Sequence, residues 1–438
     1  MEEASNLTEI VPTIDDDVKF VLRRFQQPII YFGEGPLERR QRLIEFFSKD
    51  KNSMESFLSS QAELGKESIA PSKSEEQKDE EFYTPGPDML FDVRVRIADS
   101  SLNRAKIRTD KQRELYQNFD MITELKSRRS YYATLKTMEI EGSQVISNRF
   151  TSALKFSYSS AFIAAGSWDG HCYILDPHSL DVKWTFMDVG DGKISTLDWM
   201  PHSDEIVATG GSEGNITLLN MSAVHMKKYP KFYGHTDRVT SLQFIPIDSL
   251  IASASYDMTW RLWDVETQKS LYYQEGHSKE LTSLSCHPDG SLLATAGLDA
   301  IIRIWDIRTG KSIAALEKNG HIRAIHGLAW RPNGYQLISG GADNNLKVWD
   351  LRRADSAATN TVLAHSKVIT DIKISPDDKY ITSCGYDGYL NLISSDNFSV
   401  IRKFKNFDKL MCCDISSDSK TIITGGWDRS VKIYHTEL

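Results

Sequence analysis

The sequence is poor in cysteine, has no long apolar run, and places no basic residue in its first seventeen positions. Its five cysteines (Cys172, Cys286, Cys384, Cys412 and Cys413) form an odd set with no CxxC spacing. That excludes a disulfide-stapled secreted scaffold and implies reduced thiols in the cytosol or nucleus. No stretch approaches the ~18 consecutive apolar residues of a membrane span. The segment from Met1 to Asp17 holds six acids and no Lys or Arg, the opposite of a signal or transit peptide. The net charge of −8 argues against a generally basic coat for nucleic acid, while leaving local patches open.

What the chain does have is a period. Gly234-His235 runs to Trp263-Asp264, Gly276-His277 to Trp305-Asp306, and Gly320-His321 to Trp349-Asp350. An acidic turn residue recurs at Asp169, Glu213, Asp257, Asp299, Asp343, Asp387 and Asp428, in steps of 41 to 44 residues. This is the signature of WD repeats, each one four-stranded blade. Seven copies predict an all-β seven-bladed propeller over residues 132–438. Each copy reads as the outer strand of one blade followed by three strands of the next, so the last copy lacks its own outer strand. Residues 133–140 are positioned to supply it and close the ring.

His235, Ser255, Asp257 and Trp263 recur as a set, with His277, Asp299 and Trp305, and His321, Asp343 and Trp349, as partial copies. Ser, His and Asp together suggest a hydrolase, but repetition in varying repair does not fit one active site. A buried turn aspartate needs donors, and His, Ser and the Trp N–H can provide them. The set therefore reads as a structural tetrad. Outside the repeats stands no metal-ligand cluster, strained nucleophile or nucleotide loop, so the chain is expected to be no enzyme and to need no cofactor. Blade two (Glu213, Leu219), blade six (Ala364-His365, Ile393) and blade seven (Tyr434) depart from the pattern and are expected to rely more on packing.

Three segments precede the propeller. Residues 1–47 read as a small helical module. Val18, Val21, Leu22 and Phe25 share one helical face, Pro36 opens a second helix, and Leu37, Leu43, Ile44 and Phe47 give that helix its apolar side. Residues 48–90 are rich in Ser, Glu, Lys and Gln and read as a disordered acidic tether. Residues 91–131 change sign and read as a basic amphipathic helix, with a stripe of Ile107, Leu115, Phe119, Ile122 and Leu125. Its cations include Arg104, Lys106, Arg108, Lys111, Arg113, Arg128 and Arg129. They suit ribonucleoprotein contact, a solvated helix, or one docked on the propeller or an acidic partner.

A further candidate surface lies where the blade-joining loops and the acidic turns meet. The residue before each turn acid is aromatic at Trp168, Tyr256, Tyr386 and Trp427, and aligned loop cations include Arg238, Lys279, Arg323 and Lys367. Such a face suits stacking with phosphate neutralisation, or an acidic protein segment.

The run Phe32-Gly33-Glu34-Gly35-Pro36, followed by Arg39-Arg40 and Arg42, closely resembles the splicing-factor motif. Joined to a seven-bladed propeller, it resembles the family of pre-mRNA processing factor four. That resemblance implies a nuclear, non-catalytic scaffold of the U4/U6 small nuclear ribonucleoprotein and the tri-snRNP. The partners it implies are a pre-mRNA processing factor three-like protein, the U4/U6 snRNA directly or through proteins, and a spliceosomal cyclophilin at the motif. The propeller itself is expected to be monomeric and away from membranes. The propeller alone would fit a generic adaptor in signalling or degradation equally well; the motif does not.

Overall fold

The computed structural model describes residues 15–25, 27–28, 35–49, 87, 89–117, 119–187, 189, 192–223, 229–247, 249–353 and 357–436. Residues 50–86 and 88 of the expected tether, and Phe32, Gly33 and Glu34 of the motif, lie outside the described residues, while the ends of the 48–90 stretch belong to the flanking helices, Ser48 and Lys49 to one and Met89 and Leu90 to the next. The chain divides into two compact units, residues 1–81 and 82–438.

The first unit holds helices α1 (Asp15–Arg24) and α2 (Pro36–Lys49). Val18, Val21 and Leu22 pack on Leu43 and Phe47, with Phe25, Ile44 and Phe46 at the margin. Proline opens α2 at the one turn where a missing N–H costs nothing. Glu38 reaches back to accept from the Gly35 N–H at 3.0 Å, and Arg42 donates to the Pro28 carbonyl at 2.9 Å. Leu37, assigned by its spacing to the apolar side, is 76% exposed. It sits in the first turn, ahead of the residues that face α1.

The second unit contains seven four-stranded antiparallel sheets. Their innermost strands, for blades one to seven, are Thr151–Phe156, Ile194–Trp199, Val239–Phe244, Leu281–Cys286, Ile325–Trp330, Ile369–Ile374 and Leu410–Ile415. Blade seven is completed from the other end of the unit. Strand Glu139–Val145 pairs with Ser430–His435, setting Ile140 opposite Tyr434 and Gln144 opposite Val431. The ring closes by this exchange, but the strand differs from residues 133–140. Residues up to Leu135 remain helical because Tyr131, Tyr132 and Leu135 pack on blades six and seven, and Met138 is buried with them. The extended register therefore starts at Glu139.

Adjacent blades are stitched around the channel by side chains that accept from the next blade's inner-strand N–H groups. Asp198 accepts from Phe244 at 2.7 Å, Gln243 from Cys286 at 2.8 Å, and Asp414 from Phe156 at 2.8 Å. The last of these crosses the seam between blades seven and one. Without such acceptors, edge N–H groups in a narrow channel would be left wanting. All five cysteines are free and buried, and burial pushes the Cys172 thiol up to about 12.

The single basic helix of residues 91–131 is two helices, α3 (Met89–Gln117) and α4 (Met121–Leu135). Asp120 interrupts them by capping α4 through the Ile122 N–H at 3.2 Å. Both dock on the side of the propeller opposite the blade-joining loops. Leu90, Val93 and Ile97 bury among Ile245, Leu271, Tyr272 and Ile307. Arg108 forks onto Asp289, with Nε to Oδ1 at 2.9 Å and Nη2 to Oδ2 at 2.6 Å, and donates to the Asn333 carbonyl at 2.7 Å. In α4, Tyr132 donates to Asp396 at 2.9 Å, and Arg128 pairs with Glu124 and Asp396. Arg108 and Arg128 are thus committed to holding the helices down.

The expected apolar stripe does not do this work. Ile107, Leu115, Phe119, Ile122 and Leu125 are 57–69% exposed. Spacing alone identifies an apolar face but not which side the propeller lies on, and the anchors are Leu90, Val93 and Ile97 at the start, Arg108 within α3 and Tyr132 and Leu135 at the end of α4.

Candidate partner-binding surfaces

Each complete tetrad is a directed chain of hydrogen bonds. In one, the Trp263 indole N–H donates to Ser253 Oγ at 2.8 Å, and Ser253 meets His235 Nε2 at 2.7 Å. His235 Nδ1 meets Asp257 Oδ2 at 2.7 Å. A hydroxyl that accepts from Trp has its own proton left for Nε2, which places the imidazole proton on Nδ1, facing the carboxylate. Trp305, Thr295, His277 and Asp299 repeat the chain, as do Trp349, Ser339, His321 and Asp343.

The hydroxyl is therefore Ser253 and not Ser255. Both belong to one strand, but Ser255 lies at its end, where its oxygen accepts from the Asp257 N–H at 3.2 Å and donates to the Asp237 carbonyl at 3.0 Å. It shapes the turn. The correct hydroxyl was findable: it stands four residues before the turn acid in each full copy.

Two divergent blades carry more polar structure than packing alone. Blade six keeps His365 bonded to Asp387 at 2.9 Å and Ser383 at 2.9 Å, with Asn391 beside His365 Nε2 at 3.1 Å. In blade seven, Tyr434 and Lys432 both donate to Asn406, at 3.1 and 2.9 Å, and Lys432 holds Asp428 at 2.6 Å. Blade one holds Asp169 through the Tyr173 hydroxyl at 2.9 Å.

The tetrads set a pH response. Burial alone would raise the Asp257 carboxyl, but donors from His235 and Thr259 outweigh it and hold it well below the usual carboxylate range. Asp299, Asp343 and Asp387 are lowered in the same way by their histidines. Burial lowers His235 more than Asp257 raises it. Both shifts have one sign. A depressed His prefers its neutral folded form, so stability falls as pH drops below the free imidazole value of ~6.5. The depressed carboxylates then lose their contribution as pH falls through the carboxylate range. The melting temperature is expected to decline steadily from pH 7 to 4, more steeply below ~pH 4. Scanning calorimetry across that range checks it; a flat profile contradicts the assignment.

The central channel is one cavity of about 930 Å³, and Trp168, Arg238, Tyr256 and Tyr386 line it at its loop end. Arg238 is anchored by its Nε on Ser195 Oγ at 2.8 Å and lies over Trp168 at 5.3 Å and Tyr256 at 5.9 Å. Phe150, unmarked by the repeat alignment, joins the arc by packing 4.2 Å from Trp168 and stacking on Trp427 at 5.4 Å and 12°. Lys193 sits 4.3 Å over Trp168, and Lys409 sits 4.3 Å over Trp427. Lys279, Arg323 and Lys367 stand one position earlier in their loops; they are exposed and do not line the cavity. The aligned cations thus fall into two groups, one stacked on the aromatics and one facing solvent.

On the far side, Lys106, Lys111, Arg113 and Arg129 are exposed among the apolar residues of α3 and α4, and Arg104 is half-buried. The two surfaces frame a rigid ring.

Seven sheets closed by a borrowed strand, with the tetrads inside them, define a seven-bladed WD-repeat propeller protein. The WD domain, G-beta repeat pattern matches residues 141–176, 226–264, 268–306, 310–350, 358–394 and 398–435. The gap between the first two matches contains Glu213 and Leu219, the blade whose tetrad positions have drifted furthest. A second pattern, described as pre-mRNA processing factor 4 (PRP4) like, matches residues 18–45. The U4/U6 small nuclear ribonucleoprotein PRP4 of Saccharomyces cerevisiae is 39% identical over 437 residues, covering 99% of this chain and 93% of the relative. The human U4/U6 small nuclear ribonucleoprotein Prp4 is 32% identical over 162 residues, 37% of this chain and 30% of the relative. An uncharacterised WD-repeat protein of Schizosaccharomyces pombe is 36% identical over 254 residues, 56% and 52% respectively. The chain belongs to the PRP4 family of pre-mRNA processing factors.

Proposed function

We propose that the chain is a non-catalytic scaffold of the U4/U6 small nuclear ribonucleoprotein and of the tri-snRNP, acting in the nucleus in pre-mRNA splicing. The observation that carries this reading is the union of the PRP4-like segment at residues 18–45 with similarity to yeast U4/U6 PRP4 along the whole chain. A generic propeller adaptor has no reason to carry that segment.

The physical design suits a scaffold. The propeller is a rigid body, and α3 and α4 are clamped to it while presenting a long apolar and basic outer face. Exposed apolar side chains interspersed with charge are what a protein interface leaves when its partner is absent. This face is the proposed seat of a protein resembling pre-mRNA processing factor three, with Lys106, Lys111, Arg113 and Arg129 at its rim. The motif at Phe32–Arg42 is the proposed seat of a spliceosomal cyclophilin. Holding several components on one chain raises their effective concentration without new chemistry.

The test is to purify the tagged protein from nuclear extract at moderate salt and sequence the RNA that accompanies it. Strong, equal enrichment of U4 and U6 is expected. Absence of both from folded, soluble protein would sink the reading and leave the generic adaptor.

A further inference from the structure

The seam between blades seven and one carries residues that neither the fold nor the tetrads require. Phe407 is 102% exposed and Trp427 is 46% exposed. The position of Phe407, one past the tetrad histidine, is Ile322 (88% exposed) in blade five and a small polar residue, Thr236, Ser278 or Ser366, in blades three, four and six. There a small residue suffices, and the backbone N–H serves the turn acid, as Thr236 and Ser366 show at 3.3 and 3.0 Å. A fully exposed phenylalanine contributes nothing to the core.

Trp427, Phe150 and Trp168 form one arc, and Phe407 stands exposed on the adjoining loop. The Trp427 backbone N–H donates to the Lys409 carbonyl at 3.0 Å, which ties the Phe407 loop to the Trp427 turn. Phe150 stacks on Trp427 nearly parallel and passes the arc to Trp168. Cations alternate with the rings: Lys409 over Trp427, Lys193 over Trp168, and exposed Arg149 and Arg429 on the flanking loops. Of the local carboxylates, Asp428 is paired with Lys432, while Asp169, bonded to the neutral Tyr173 hydroxyl, and exposed Asp408 leave two negative charges against the four cations. The seam is therefore positive and flat-ringed, and its lysines ride on aromatic faces they can leave at little cost.

We propose that this seam binds single-stranded RNA directly, with bases stacking on Phe407 and Trp427 and phosphates neutralised by Arg149, Lys193, Lys409 and Arg429. Stacked, partly bare rings favour planar bases over an acidic peptide, which would need only the cations. The inference deepens the U4/U6 reading by giving RNA a contact on the propeller itself.

The experiment is fluorescence anisotropy of a labelled single-stranded oligouridylate with the full chain, against Phe407→Ala, Trp427→Ala and the double variant Arg149→Gln/Lys409→Gln. Phe407→Ala is expected to weaken binding about tenfold, the size of one lost base stack, with the melting temperature unchanged. Trp427→Ala should weaken it at least as much, but disturbs Phe150, so Phe407 is the cleaner arm. The double Gln variant should flatten the slope of log affinity against log salt by about 0.7 per cation removed. No binding by the wild-type chain overturns the proposal. So does wild-type affinity in every variant, which would place the RNA on the basic helices instead. Binding of an acidic peptide that oligouridylate does not displace also overturns it. Only chain and RNA are present, so the result stands apart from U4/U6 recovery. A seam that fails while U4 and U6 still co-purify removes the direct contact and leaves the scaffold intact.

Discussion

A chain starting at residue 146 is expected to lose cooperative folding, whereas one starting at residue 139 keeps a closed ring, weakened by the loss of Leu135 and Met138 from the core of blades six and seven and of Leu90, Val93 and Ile97 from that of blades three and four. The difference is the strand Glu139–Val145, which covers Ser430–His435. Removing it exposes a full strand edge over the core that holds Val431, Ile433 and Tyr434, each at most 2% exposed. An open edge over an apolar core both destabilises the last blade and invites pairing with another chain. Blade one then loses its neighbour's support, because the bond from the Phe156 N–H to Asp414 depends on blade seven staying in place. Thermal melts and size-exclusion profiles of the two truncations decide the matter. Equal melting temperatures would mean that ring closure does not depend on the borrowed strand.

The second large effect is expected at the tetrads. Asp257→Ala removes the acceptor for His235 and for the Thr259 and Thr236 N–H groups, at a cost of about 2–4 kcal/mol. Ser253→Ala should cost about 2–3 kcal/mol, since it leaves both the Trp263 N–H and His235 Nε2 without partners in a fully buried site. Ser255→Ala, which loses only turn contacts, should cost about 1 kcal/mol. Urea unfolding of the three variants gives the order. A Ser255 variant weaker than the Ser253 variant would return the hydroxyl role to Ser255.

Much of this architecture is legible in the sequence because the propeller repeats its grammar. The Gly-His and Trp-Asp marks and the spaced acids give the blade number and the need for a closing strand. The errors have local physical causes. Ser253 and Ser255 share one strand, and only the three-dimensional turn shows which hydroxyl faces the histidine. The closing strand is displaced because Tyr131, Tyr132 and Leu135 are worth more as a buried helical end than as extended chain. The stripe at Ile107–Leu125 is real as a pattern. Its side was unreadable, since docking is decided by Leu90, Val93 and Ile97 and by the single fork of Arg108 on Asp289. The aromatic arc was visible at Trp168, Tyr386 and Trp427. Phe150 and Phe407 escaped because each occupies a loop position that carries no repeated aromatic.

Those exposed residues on α3 and α4 give the central claim its sharpest test. The variant Ile107→Glu/Leu115→Glu/Ile122→Glu/Leu125→Glu changes only side chains already facing solvent, so its melting temperature should match the wild type. Recovery of U4 and U6 RNA with the tagged variant from nuclear extract is the measurement. A scaffold that docks its protein partner on this face predicts at least a roughly tenfold fall in recovery, about 1.4 kcal/mol of lost binding. Wild-type recovery with an unchanged fold would contradict the account and move the assembly surface elsewhere on the chain.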